Sequence, residues 1–328
     1  MEPVYGQIMQ KGYGERLLRW VRCRTGVICT TERGMRELKR YPWGAENLAF
    51  DYQARELLAK AGFAPVMRYW PAMDGETSFC FGEDRYVLED YVPPMGEETA
   101  QAYRQAGAAT LASLHLCAHG LEVDAVRSGF GRLPETIWKR RRELIRCKNW
   151  IRAQGGLSPM DTLVLKDLKY YLARLDQAAE ILADSAYAVL CEKSAAQGVF
   201  CHGAYKGDNL RLDSSGRLRV TGFERATGDL VIADLADLLR RNLRRGADGE
   251  QLLRLLAAYE SQRPLSAEER PVLIAMLIYP HRFLKLVNAT YNKRRVCVSQ
   301  ASLQNMRECV EGRNREEAVL TVLCKNLC

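Results

Sequence analysis

The 328-residue sequence predicts an α+β protein with a small β-rich lobe over residues 1–92 and a large, mainly helical lobe over 93–328, together one domain. Three observations carry this. The early residues form β-branched and aromatic runs separated by glycine turns, with one helical stretch among them. Pro93-Pro94-Met95-Gly96 then stops the last strand, as a lobe boundary requires. Beyond it apolar residues recur at helical spacing, interrupted by one hairpin centred on Gly216.

Taken in order, Leu17 to Arg24 reads as a strand and Thr25-Gly26 as a turn. Val27 to Thr31 is a β-branched strand, and Met35 to Arg40 returns after Glu32-Arg33-Gly34. Residues 45–61 have helical spacing along Leu48, Tyr52, Ala54, Leu57, Leu58 and Ala61, with Gly62 as the stop. Strands follow over 66–70, 78–81 and 85–92. Helices are expected from residue 97, over 134–153, and from the Ser158-Pro159 cap to about Leu182. Another opens at Asp234. The remainder is helical, ending in one long helix carrying Leu303, Met306, Val310, Val319 and Val322.

Composition narrows the function. The chain is 47% hydrophobic, enough for a sizeable core. No apolar run reaches the ~18 residues that a membrane span needs, so no membrane span is expected. The N-terminus lacks the basic-then-apolar pattern of a signal peptide, so synthesis and residence in the cytoplasm are expected. The net charge of +8 lacks a nucleic-acid motif beside it, so it reads as an arginine-rich surface. The run Lys139-Arg140-Arg141-Arg142 reads as a solvated helix face, with docking of an acidic partner as the alternative. The 11 cysteines include no Cys-x-x-Cys pair, which argues against structural zinc and for thiols packed as small hydrophobes.

The chemistry-bearing stretch is residues 200–235. A kinase-type catalytic loop reads His-x-Asp, four residues, then Asn; the Asp accepts the attacking hydroxyl's proton and the Asn holds magnesium. A second Asp, just before a Phe, binds the metal that bridges the phosphates. Here His202 and Asn209 hold their slots, but Ala204 stands at the base position and Gly222 precedes Phe223. Neither side chain has an oxygen to accept a proton or bind Mg²⁺. Glu224, two residues on, faces the same way as position 222 in an extended strand and is the candidate metal ligand with Asn209. Asp208 is a second displaced carboxylate. Lys39 sits where a nucleotide-binding lysine would sit. Glu89 to Val92 is the segment whose backbone would meet an adenine, giving Lys39, Glu89 and Tyr91 as candidate nucleotide contacts. The carboxylate that should pair with Lys39 has no clean match on the helix 45–61; Asp51 and Gln53 are the best placed, ahead of Glu46 and Glu56.

In this order and spacing the chain resembles the aminoglycoside-phosphotransferase-like branch of the protein-kinase-like superfamily, and within it the spore-coat CotS-type family. The catalytic-type segment carries most of the resemblance. Lys39, Tyr86-Val87-Leu88-Glu89, Leu111-Ala112-Ser113-Leu114-His115 and Tyr279-Pro280-His281-Arg282-Phe283 add to it. The resemblance implies a two-lobed kinase-like fold, synthesis in the mother-cell cytoplasm, deposition in the spore coat, and other coat proteins as partners. With Ala204 and Gly222 in place, the expected function is a pseudokinase acting as an assembly module. No catalytic residue, no cofactor and no small-molecule substrate are then expected. The alternative is an ATP- and Mg-dependent small-molecule phosphotransferase of the aminoglycoside- or choline-kinase type, using Glu224 or Asp208.

Overall fold

The computed structural model describes residues 4–124, 127–292 and 298–328. They fall into two compact units. The first runs to Glu122 and takes back Gly198–Thr227; the second comprises Val123–Gln197 and Gly228–Cys328.

In the first unit, helix α1 (Val4–Tyr13) precedes strands β1 (Leu17–Arg22), β2 (Val27–Thr31) and β3 (Gly34–Arg40). Then come α2 (Ala45–Lys60), β4 (Tyr69–Trp70), β5 (Phe79–Phe81), β6 (Asp84–Asp90), α3 (Glu97–Ala102) and α4 (Arg104–Cys117). The antiparallel sheet has the order β1-β2-β3-β6-β4, with β5 also paired to β6. Alternation sorts its two faces. Val27, Cys29, Leu38 and Leu88 pack with Ile8, Met9 and Tyr13 of α1. Each large apolar side chain so buried contributes about 1.5–3 kcal/mol. Tyr41, Leu48, Tyr69 and Val87 form a second cluster that joins the sheet to α2.

The register sets Lys39 opposite Val87 and Glu37 opposite Glu89. Two charged side chains of β3 and one of β6 are therefore carried on the face away from α1. On α2 the buried face is Leu48, Phe50, Asp51, Ala54, Arg55 and Leu58. It differs from the expected stripe because two ionic residues, Asp51 and Arg55, have turned inward while Tyr52 is exposed.

The returning segment of the first unit supplies the expected hairpin, β7 (Leu210–Leu212) and β8 (Leu218–Val220). Its turn is closed by Asp213, which accepts hydrogen bonds from the Ser215 and Arg217 backbone N–H groups, with Gly216 at a φ of 77°.

The second unit is helical: α5 (Arg132–Ala153), α6 (Pro159–Ala183), α7 (Tyr187–Ala196), α8 (Ile232–Arg244), α9 (Gly249–Glu260), α10 (Glu269–Ile278), α11 (His281–Val287), α12 (Gln300–Glu311) and α13 (Arg313–Leu327). Ser158 and Asp161 form a reciprocal capping box at the start of α6. The expected single C-terminal helix is two, broken at Gly312. One stretch, Glu269–Tyr291, is long and apolar enough to cross a membrane by length and composition, which the count of apolar runs did not register. Its α10 portion, however, is buried from Val272 to Ile278. It reads as a core helix of this unit. None of the ten described cysteines is in a disulfide, and Cys80 and Cys328 are exposed.

Candidate functional site

The sheet, α2 and the 198–227 segment build a charged centre inside the first unit. Lys39, one residue before the end of β3, is almost fully buried and forms an ion pair with Glu89, with Glu37 at 3.8 Å. Glu89 has no exposed surface. It also takes Nη1 of Arg55 at 3.2 Å and the Thr221 hydroxyl at 2.9 and 3.0 Å. Burial alone would push this carboxyl up. Lys39 and then Arg55, together with the hydrogen bonds from Lys39 and Thr221, outweigh it and hold the group below its ordinary value. Arg55 is fully buried as well. It donates to Asp51 at 2.6 Å, to the Met67 carbonyl at 2.6 Å and to the Tyr69 hydroxyl at 3.1 Å, and lies 4.1 Å above the Tyr69 ring.

The partner of Lys39 therefore comes from β6 and not from α2. Asp51 is taken by Arg55 and by Tyr69, whose hydroxyl donates at 2.7 Å. Gln53 and Glu46 are exposed, and Glu56 pairs with Arg68. Glu89 acts here through its side chain. Its backbone lies within the sheet, opposite Glu37 on one side and Tyr69 on the other. Tyr91 donates its N–H to the Met35 carbonyl at 3.1 Å.

The β1–β2 turn closes down on β3. Cys23 donates its N–H to Gly26 O at 2.9 Å, and the Thr25 hydroxyl donates to Glu37. A Cβ on Gly26 would stand 2.3 Å from the Leu38 carbonyl oxygen, so only glycine allows this approach. The amides of a glycine-rich phosphate cradle are not displayed here; the turn's hydroxyl is spent on a carboxylate of the protein itself.

His202 is fully buried. Its Nδ1 accepts the Ala204 N–H at 3.2 Å, which leaves Nε2–H to donate to the Thr221 carbonyl at 3.0 Å. Nδ1 thus fixes the loop on itself, and Nε2 ties it to the residue that follows β8. Gly203, at a φ of 69°, brings its α-carbon so close to the Arg225 carbonyl that a Cβ would stand 2.0 Å from that oxygen. Ala204 offers a methyl group and a carbonyl, and the carbonyl accepts Asn209 Nδ2 at 2.9 Å. Gly222 has a φ of 83°, and a Cβ there would lie 2.5 Å from the carboxamide of Asn209. The Asn209 side chain lies in the space that a side chain at 222 would need.

A cavity of about 240 Å³ is lined by Lys39, Asn209, Gly222 and Glu224, with Thr25, Trp43, Arg211 and Thr221 among the other walls. It brings together three of the sequence-predicted residues, Lys39, Asn209 and Glu224. Glu89 lies beside it as the support of Lys39; Tyr91, His202 and Ala204 do not line it. Asp208 is exposed, between Arg24 at 3.2 Å and Lys206 at 3.3 Å. Burial pushes the Glu224 carboxyl above its ordinary value; Arg55 pulls it down and Asp51 pushes it further up. A magnesium ion bridging phosphates takes carboxylate oxygens at octahedral spacing. Among the described residues no three His, Cys, Asp or Glu side chains converge as a metal site. The Asn209 nitrogen donates to Ala204, so its oxygen Oδ1 and the Glu224 carboxylate are the groups in this cavity that could meet such an ion. Sequence reasoning did not find Glu37, Arg55 and Thr221; the period-two pair Glu37-x-Lys39 on a strand was the available signal.

A family model described as "Spore coat putative kinase YutH" matches residues 39–323. Among solved structures, an aminoglycoside phosphotransferase from Alicyclobacillus acidocaldarius superposes with a TM-score of 0.83 at 17% identity, covering 95% of this chain and 92% of that one. A spectinomycin phosphotransferase solved with ADP and spectinomycin gives 0.66 at 12% identity, covering 95% and 97%. The choline kinase LicA from Streptococcus pneumoniae gives 0.52 at 16%, covering 93% and 95%. At these identities the structures establish the fold: an aminoglycoside-phosphotransferase-like kinase fold, with an antiparallel sheet followed by a mostly helical region.

Proposed function

Given that the chain belongs to the YutH spore-coat kinase family, we propose that it is a pseudokinase, made in the mother-cell cytoplasm and laid into the coat as an assembly module among other coat proteins. The observation that supports this most is the absence of a carboxylate at both 204 and 222, with the Asn209 carboxamide lying where a side chain at 222 would start. Moving a γ-phosphoryl group from ATP to a hydroxyl releases ADP and needs an acceptor for the hydroxyl's proton. It also needs a cation to carry the charge on the phosphates. At position 204 there is a methyl group. At 222 there is no side chain, and the space is filled. Losing a positioned acid or base alone costs about 10²–10⁴-fold in rate.

Lys39, Glu37, Glu89, Arg55 and Asp51 pair with one another and join the sheet to α2. On this reading they serve the fold, so their presence does not argue for nucleotide chemistry. The test is calorimetric titration with ATP and GTP, with and without Mg²⁺, followed by mass analysis of candidate hydroxyl acceptors. No nucleotide consumption is expected. A phosphorylated acceptor formed at a rate abolished by Lys39→Ala would overturn the reading.

One observation favours the second reading, a small-molecule phosphotransferase: Lys39, Asn209 and Glu224 share one cavity. Under it, binding is magnesium-dependent and lost in Glu224→Gln.

A further inference from the structure

The basic run on α5 divides into two sets. Arg140 is held by Glu143 at 2.6 Å and Arg141 by Asp176 at 2.6 Å. Lys139, Arg142 and Arg146 are exposed, and among the described residues none has an ion-pair partner. On the same face, Trp138 is 50% and Trp150 55% exposed. Trp138, Arg142, Arg146 and Trp150 follow one another at every fourth position. Such a row is a ridge along a helix, here spanning about 18 Å. The two indoles are held in place. Arg141 lies 5.8 Å from the centre of the Trp138 ring, and Tyr291 meets Trp150 edge-on at 5.8 Å.

We propose that this ridge is a docking surface for an acidic amphipathic helix of a partner protein. Ordered tryptophans and arginines are the side chains that dominate protein–protein contacts. Ridges of this spacing pack into the grooves of another helix, and unpaired guanidinium groups select carboxylates. A second copy of this chain is disfavoured, because a two-fold contact would set the same cations against one another. A phosphate backbone is disfavoured too: Glu135 is exposed on the same face, and Glu143 and Asp176 flank it. The surface stands on α5 alone. Its service in coat assembly rests on the function proposed above.

The full chain would be titrated with a labelled helical peptide of about 18 residues, with Glu at every fourth position and Leu between. The Gln counterpart, poly(U) and phosphatidylserine vesicles serve as competitors. Saturable binding with a blue shift of indole emission is expected. Arg142→Glu with Arg146→Glu should weaken it about 30-fold or more, and Trp150→Ala about 10-fold. The same charge change at exposed Arg19 and Arg22 on β1 should alter it less than about 3-fold. Equal losses in the two charge variants, or tighter binding of poly(U) or vesicles, would overturn the proposal. Because the assay uses purified protein and no nucleotide, its result is separate from that of the nucleotide titration.

Discussion

Lys39 and Gly222 line the same cavity, yet the charge expected at one position is present and at the other absent. Lys39 belongs to a closed set of buried charges: Glu89 holds it, Arg55 and Thr221 hold Glu89, and Asp51 holds Arg55. Gly222 belongs to no such set. Nothing that holds the fold together is lost by removing a carboxylate there, and Asn209 fills the gap. A residue retained in a degenerate site can therefore be retained for burial alone. Taking one partner from a buried pair leaves an uncompensated charge, which costs about 3–5 kcal/mol.

The largest effect that could break this comparison is Arg55→Ala. It takes the guanidinium from both Asp51 and Glu89, leaving the first with the Tyr69 hydroxyl and the second with Lys39 and Thr221, and denaturant unfolding should show a loss of about 3–5 kcal/mol. A loss below about 1 kcal/mol would mean that the buried set is not structural, and Lys39 would need another reason to be there. Next comes Gly203→Ala. The added methyl meets the Arg225 carbonyl, and the φ of 69° is unfavourable for alanine. A loss of about 1–3 kcal/mol is expected. Gly222→Ala should cost less, although its φ of 83° is similarly positive. The group in its way is a side chain that can swing aside by giving up one hydrogen bond, whereas at 203 it is backbone.

Much of this fold is legible in the sequence wherever the signal is local. Val27 to Thr31 is β-branched and flanked by glycine turns, and it forms β2 as read. Ser158-Pro159 announces α6 because cap and proline act within one turn. Helix α1 went unread. Gly6 and Gly12 lower its propensity, and Ile8, Met9 and Tyr13 gain their burial from Leu38 and Leu88, strand residues much later in the chain. The site divides the same way. His202, Asn209 and Glu224 are close in sequence, so spacing alone names them. The Lys39–Glu89 pair depends on the β3–β6 register across 50 residues. No local pattern states that register, so spacing alone points to α2 for the partner.

The smallest effects compare two carboxylates of the same centre. Glu89 is held below its ordinary value, so it binds fewer protons folded than unfolded. Its contribution is fully present above the ordinary carboxyl value and is lost as pH falls through the lower folded value. Glu224 is held above its ordinary value, so it binds more protons folded than unfolded. Stability from it falls as pH rises through the window between the ordinary and the raised value, and at neutral pH its charge is a cost. Glu89→Gln should therefore destabilise at pH 7 and flatten the acid limb of a stability profile. Glu224→Gln should stabilise slightly at pH 7, with no effect below the ordinary carboxyl range. Thermal melts across pH 3 to 8 on both variants provide the measurement. If Glu224→Gln destabilises at neutral pH, the carboxylate is making a contact that stabilises its charged form. A bound cation is the first candidate to add back, and the phosphotransferase reading would then gain the ligand it lacks.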